Sequence, residues 1–345
     1  MGRMPANPQF GVGLSRAADP VAAAIVPPAG KATGTGAVLL VDPAQNNAYR
    51  AINRAWKAGG TVRLVPAANG KGARFALAGV KEADLSDMVS SLALQAERAA
   101  IATGSEVKKP RIGLYRPWMA SMDEGWTRWI LEQYGFTFVN LAPADLRGAA
   151  PLADRIDVLV IADEARGLLD GYAEGVVPPQ YVGGIGASGV RAIDAFVRGG
   201  GSLVCFNRSA LFAIEQLHLP VKNAVGGVKR QDFFTGGSIV SVEVDAAHPL
   251  MAGMPERAPV FVDASPVFET LDGFKGEVLA KYQAAGSPLM SGYLAGEKYM
   301  NGKAAALAMP LDRGRVVLVG FRPQWRGQPF GTFRVIFNAV LNVGR

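Results

Sequence analysis

The sequence predicts an α/β fold: a mostly parallel, doubly wound sheet with a β-rich insert, preceded by a small N-terminal α/β domain. Three observations carry that prediction. From Pro110 onward, short apolar runs alternate with stretches of helical period. Runs such as "IDVLVIAD" are apolar almost throughout, the pattern of strands covered on both faces. Between residues 237 and 282, four β-rich stretches follow one another, which adds an antiparallel edge to an otherwise alternating chain.

A chain of 345 residues exceeds the usual single domain, and "SEVKKP" divides it into residues 1–109 and 110–345. In the first unit "AVLLVD" is a strand. Tyr49, Ile52 and Trp56 have helical spacing in a segment that stops at Gly59-Gly60. "TVRLVP" and "GARFALAG" are strands around the turn "ANGKG", and a helix is expected from Asp84 to Gly104.

In the second unit "RIGLYR" is a strand, and "MDEGWTRWILEQYGF" is a helix with Trp126, Trp129 and Ile130 toward a core. "FTFVNL" and "IDVLVIAD" are strands. "SGVRAIDAFVRGGG" is a helix with Ser188 as N-cap. "SLVCFN" is a strand and "SALFAIEQLHL" a helix. The insert reads as "GSIVSVEVD", "APVFVD", "PVFETL" and "EVLAKY", and the chain closes with the strand "GRVVLVGF" and the helix "GTFRVIFNAVLNV". The connection "EARGLLDGYAEGVVPPQYVGGIGASG" has no pattern of its own, and a loop of that length is a candidate lid.

Composition narrows the function. No apolar run reaches the roughly 18 residues that span a bilayer. The N-terminus lacks the apolar region of a signal peptide, and Ala6 breaks the myristoylation pattern. One cysteine excludes an internal disulfide. The net charge is +7, of which residues 1–110 hold about +6. Those charges are scattered and lack interleaved aromatics, which reads as a solvated basic face and not as a nucleic-acid surface.

Ligands of open α/β sheets bind beyond the carboxyl ends of the strands. Arg116, Trp118, Asp123 and Glu124 follow "IGLY", and Asp163 and Glu164 follow "VLVIA". Asn207, Arg208 and Ser209 follow "LVCF", and Arg322, Gln324, Trp325 and Arg326 follow "VVLVGF". Two readings stand. The four ends form a polar pocket with aromatic walls, or they form a solvated rim in which Asp123 and Glu124 are first-turn helix charges and Ser209 is a cap.

"GGGSLVCFNRSALFAIE" has the layout of a nucleophile elbow, a strand breaking sharply into a helix. Its cysteine, Cys205, falls inside the strand, and the turn itself presents Asn207, Arg208 and Ser209. The two histidines, His218 and His248, have no acid partner at a useful spacing, and neither begins an HxxE or HExxH pattern, so no metal site is expected. "GGIGASG" matches GxGxxG but follows no buried strand, which favours a glycine-rich loop over a dinucleotide cradle.

The stretches "GLYRPWMASMDEGWTRWILEQYGF", "PPQYVGGIGASGV", "FAIEQLHLPVKN", "HPLMAGMP" and "GRVVLVGFRPQWRGQPFGTFRVIFNAVL" resemble the C-terminal region of bacterial zinc-carboxypeptidase-family proteins. These are carboxypeptidase A-like and carry a class I glutamine amidotransferase-like, flavodoxin-like domain behind the peptidase domain. "PPAGKATGTGAVLLVDPAQNNAYRAINRAWKAGG" resembles the segment that joins the two. The resemblance implies an accessory region, because the family's HxxE zinc motif is absent here. It also implies that Asn207 stands where active amidotransferases place their nucleophile. Related full-length proteins are often exported, which leaves the compartment open.

The expected function is therefore a non-catalytic module without a cofactor, binding a peptide-like or small polar ligand or packing on a peptidase domain. Arg322 or Arg326 is expected to clamp a carboxylate with its guanidinium fork. The alternative is a hydrolase or amidotransferase that uses Cys205. A third reading is an interaction platform whose footprint lies on residues 1–110.

Overall fold

The computed structural model describes residues 28–66, 72–164 and 167–342. The readings made for the N-terminal twenty residues and for most of "ANGKG" lie outside them. Two large sheets organise the described residues, beside a two-stranded pair of Phe234–Thr235 and Leu294–Ala295. The smaller has six strands in the order Lys31–Gly34, Gln95–Ala99, Val38–Val41, Ala73–Ala78, Thr61–Pro66 and Ser105–Glu106. Only its first pair is parallel. Helix Asn47–Lys57 lays Tyr49, Ile52 and three alanines on it.

The helix expected over Asp84–Gly104 is instead Glu82–Ser91, followed by the strand Gln95–Ala99. The chain reverses at Ala93, whose φ is +51°. Gln95–Ala99 then pairs on both of its edges, with Lys31–Gly34 and with Val38–Val41. Two ladders of backbone hydrogen bonds outweigh the helix preference of "QAERAA". "SEVKKP" contributes the edge strand Ser105–Glu106 before the chain leaves this sheet.

The larger sheet has twelve strands and is mixed. Phe138–Leu141, Ile112–Tyr115, Val158–Ile161, Ser202–Phe206 and Gly314–Val319 lie side by side and parallel. In chain order these five run 2-1-3-4-5. From Gly314–Val319 the sheet continues antiparallel through Ala304–Leu311, Glu277–Lys281, Ser238–Val244 and Arg257–Val262. The expectation of a mostly parallel sheet is thus corrected, because the antiparallel part rivals the parallel part in size. The cause is a tight hairpin. Leu311 pairs with Gly314 across Asp312-Arg313, and Asp312 has φ +52°. A two-residue turn permits only antiparallel neighbours. Strand Ala304–Leu311 escaped the sequence reading because alanine is poor in strands; here it is buried from Ala304 to Met309.

Helix Met122–Gln133 is capped by Ser121, which accepts the Glu124 N–H at 3.2 Å. It buries Asp123, Glu124, Thr127, Ile130 and Leu131, while Trp129 is 40% exposed. Two corrections follow. Trp126 is half-buried and Trp129 exposed, and they pack edge to face on each other beside the turn at Gly327 and not in the core. Ser188 is not an N-cap: helix Gly186–Arg198 starts behind the buried Ile185.

The two sheets share one hydrophobic core. Helix Phe333–Leu341 is buried at every residue except Arg334. Phe337 packs against Tyr49 of the small unit and against Tyr134 and Phe136 of the large one. A polar ladder runs up the same helix at four-residue spacing. Arg334 donates to the Gly253 carbonyl, Asn338 to the Ala252 carbonyl at 2.8 Å, and Asn342 to the Pro249 carbonyl at 3.4 Å. The Tyr49 hydroxyl donates to Asn338 at 2.7 Å. Gly253, at φ +77°, presses on the small unit so closely that a Cβ there would lie 2.3 Å from the Pro43 backbone.

Asn338→Ala strands the buried Tyr49 hydroxyl and Ala252 carbonyl and is expected to cost about 1–3 kcal/mol. Gly253→Ala is expected to destabilise as well, through contact and φ together. Urea unfolding of each variant checks both; a wild-type midpoint for either contradicts this account of the seam.

Candidate functional site

The carboxyl ends of the parallel strands converge as the sequence predicts, but they close on one another. Arg322 sits at the centre, 6% exposed. Its guanidinium lies 3.1 Å from Asp123, 2.9 Å from Asp163 and 3.8 Å from Asp263. Asp163 also receives the Arg208 side chain at 2.6 Å and the Arg208 backbone N–H at 3.0 Å. Gln324 donates to Asp123 at 3.0 Å. The Arg322 guanidinium lies over the Trp325 ring, which stacks on Phe261.

Sequence reasoning does not single out Asp263 and its neighbour Ser265. They follow strand Arg257–Val262, at the far edge of the sheet. The antiparallel half curls back until the Arg322 N–H donates to the Phe261 carbonyl at 3.0 Å. The signal is present, since "VFVDAS" is an apolar strand breaking into polar residues like the other four ends.

Asn207 holds the elbow. Its φ is +53°, the strained conformation that such a turn imposes, and asparagine tolerates it better than most residues. Its side chain is fully buried and engaged: the amide donates to Asp163 at 2.9 Å, and the amide oxygen accepts the Ser265 hydroxyl at 2.6 Å. Ser209 does not cap its helix. It is fully buried, with its hydroxyl on the Ile161 and Phe206 carbonyls. Cys205 lies inside strand Ser202–Phe206 with no exposed surface, and burial pushes its thiol up to about 12.

Three expectations are therefore corrected. Arg322 cannot clamp a ligand's carboxylate while Asp123 and Asp163 fill its fork. Asp123 and Glu124 are buried groups and not solvated first-turn charges. They do diverge: Glu124 faces Arg128 at 3.3 Å, apart from Arg322. Asn207, Ser209 and Gln324, all at 0% exposure, do not line an open pocket. Arg116 and Arg326 are exposed, and Arg326 lies over the outer reach of Trp325.

Trp118 packs edge to face on Tyr181, in the long connection after Glu164. That connection covers it, leaving a space of about 10 Å³ between Trp118, Tyr115 and Gly183. Gly171 and Gly183 allow backbone to meet backbone, since a Cβ on Gly171 would lie 2.2 Å from the Gly183 carbonyl carbon. Arg147 ties the same turn down through the Val182 and Gly184 carbonyls. In "GGIGASG", Gly183 and Gly189 thus serve close packing, while Gly186 supplies a φ of +61°.

The charges of this knot are unequal. Burial pushes Asp123 up to about 6 against the pull of Arg322. Burial also raises Asp163, but the Arg208 hydrogen bonds and the Arg322 charge outweigh it and hold the carboxyl below its usual range. Burial pushes Glu164 up to about 7 against a hydrogen bond from Ser121, with the Asp163 charge adding to the rise. Among the described residues, no group of three or more histidine, cysteine or acidic side chains could hold a metal ion, and no helix is long and apolar enough to cross a membrane.

The fold and this site together define a mixed-sheet α/β protein with an asparagine-bearing elbow. No protein-family model matches the chain, and no curated protein does. Among solved structures it is similar to a cytoplasmic protein of Salmonella typhimurium, at 13% identity and a TM-score of 0.42, over 68% of this chain and 99% of that one. It is similar to a ThuA-like protein from Bacteroides uniformis at 14% identity and a TM-score of 0.41, over 70% and 94%. A GMP synthase-like protein from Thermoplasma acidophilum gives 10% identity and 0.42, over 68% and 94%. None of these lends a residue role to this chain.

Arg322→Met leaves three carboxylates around a vacated centre and is expected to cost about 3–5 kcal/mol in urea unfolding. Adding Asp123→Asn is expected to restore part of the loss. The pH dependence has a definite sign. Glu164 holds its proton more tightly folded than unfolded, so its contribution to stability is full below about 4.5 and is lost as pH rises through about 7. Glu164→Gln is expected to flatten that decline in thermal melts; equal slopes for wild type and variant would contradict it.

Proposed function

We propose that this chain is a non-catalytic accessory module of glutamine amidotransferase-like, flavodoxin-like build, which binds a peptide-like ligand or packs on a peptidase domain. The observation that carries this reading is the elbow. It keeps the strained backbone of a nucleophile position, yet it holds an asparagine whose amide is consumed by Asp163 and Ser265. The one cysteine is two residues away, fully buried, with its thiol pushed up to about 12. A thiol in that state is neither ionised nor reachable. The strand order 2-1-3-4-5 supports the flavodoxin-like assignment. The relation to a peptidase rests on the sequence resemblance of "HPLMAGMP" and the other stretches quoted above.

Two measurements test it. Wild type and Cys205→Ser are expected to release no ammonia from glutamine above the buffer rate; release by wild type that is lost in Cys205→Ser overturns the non-catalytic reading. Mixed with a carboxypeptidase A-like domain of the resembling family, the protein is expected to co-elute with it in size-exclusion chromatography. If the domain elutes alone and alanine peptides give no binding heat either, the accessory reading fails.

A further inference from the structure

A cavity lies away from the closed rim, at the seam between the two sheets. It measures about 940 Å³ and is walled by Asp42 and Arg74 from the small unit and by Asp245, Gly253 and Glu256 from the large one, with Arg334 beside them. The charges along it are arranged unevenly. Arg74 is matched by Glu97 at 2.5 Å. Arg334 is half-buried and makes its hydrogen bonds to neutral oxygens, the Gly253 carbonyl and the Asn46 amide. Its Nε is buried and unpartnered among the described residues. Asp42 spends one oxygen on the Ala44 N–H at 2.8 Å and Asp245 one on the Ala247 N–H at 3.2 Å. Among the described residues no cation pairs with the second oxygens of both, nor with the exposed Glu256 carboxylate.

We infer that this seam cavity binds a small zwitterion, an amino acid or short peptide. Its carboxylate meets the Arg334 guanidinium, and its ammonium meets the wall formed by Asp42, Asp245 and Glu256. A simple anion is repelled by that wall. A simple cation leaves Arg334 without a hydrogen-bonded anion among the described residues, in a partly desolvated place where a charge-assisted bond is strongest. Burial holds the Arg334 group below its usual range, against the opposing pull of Tyr49 and of the nearby Asp42 charge. The volume suits a ligand of a few residues. Such a ligand would touch both sheets at once, on the turn that the polar ladder of the last helix holds. This inference rests on the reading of the chain as a binding module and deepens its ligand half.

Calorimetric titration tests it with three probes. Dialanine carries both charges, N-acetylalanine lacks the ammonium, and alanine amide lacks the carboxylate. Dialanine is expected to bind at least about tenfold more tightly than either of the others. Glu256→Gln with Asp245→Asn, both exposed and outside the ladder, is expected to reduce dialanine binding to the level of N-acetylalanine. Arg334→Lys keeps the charge but loses the fork, and is expected to weaken dialanine severalfold while leaving alanine amide unchanged, the amide reporting whether the cavity is intact. No heat with dialanine, equal binding of all three probes, or wild-type affinity in the double variant would overturn the proposal. Ammonia release from glutamine would overturn the non-catalytic reading while leaving this one standing, so the two failures are distinguishable.

Discussion

A buried guanidinium must be matched where it lies, and the Arg322 side chain shapes much of the larger unit by that requirement. Its three aspartates come from three places: the first turn of helix Met122–Gln133, the end of strand Val158–Ile161, and the end of the edge strand Arg257–Val262. Meeting the first draws the acidic first turn of the helix inward. Meeting the last requires the antiparallel half of the sheet to curl back over the parallel half. Removing one member of such a set leaves uncompensated charge, so the cluster holds as a unit. The same closure fills the rim where an open α/β sheet ordinarily receives its ligand.

The second organising feature is the last helix. A helix buried on nearly all sides has no solvent to take polar side chains, so Arg334, Asn338 and Asn342 must find acceptors in the protein. They find them in the turn Pro249–Gly253, and Tyr49 reaches in from the small unit to complete Asn338. The two sheets therefore share a core and a polar seam. The cavity beside Arg334 is the space left where two curved surfaces meet over that seam.

Much of this is legible in the sequence. Buried parallel strands such as "IDVLVIAD" show themselves by continuous apolarity. Counting to the polar break at Asn207 places Cys205 inside its strand, and the structure puts it there. The four strand ends share one rim, as their positions after buried strands require. What is not legible is whether that rim is open. Asp123 is equally good as a solvated first-turn charge and as a buried partner of Arg322, because sequence spacing is the same in both. Asp263 and Ser265 are hidden for a related reason: a strand assigned to the far edge gives no ground for bringing its end back to the centre.

The sequence by itself determined the alternation of strands and helices, the elbow at Asn207 and the interior place of the one cysteine, because these depend on neighbours within a few residues. Only the tertiary structure decided that Gln95–Ala99 is a strand, since its two flanking ladders come from residues about sixty positions away, where local propensity has no reach. It also decided that the sheet is mixed, that Arg322 is spent on the protein's own carboxylates, and that Arg334 is left facing a cavity. Each of these depends on which distant surfaces meet, and pairing across the fold, not order along the chain, sets the charge and burial of every one of those groups.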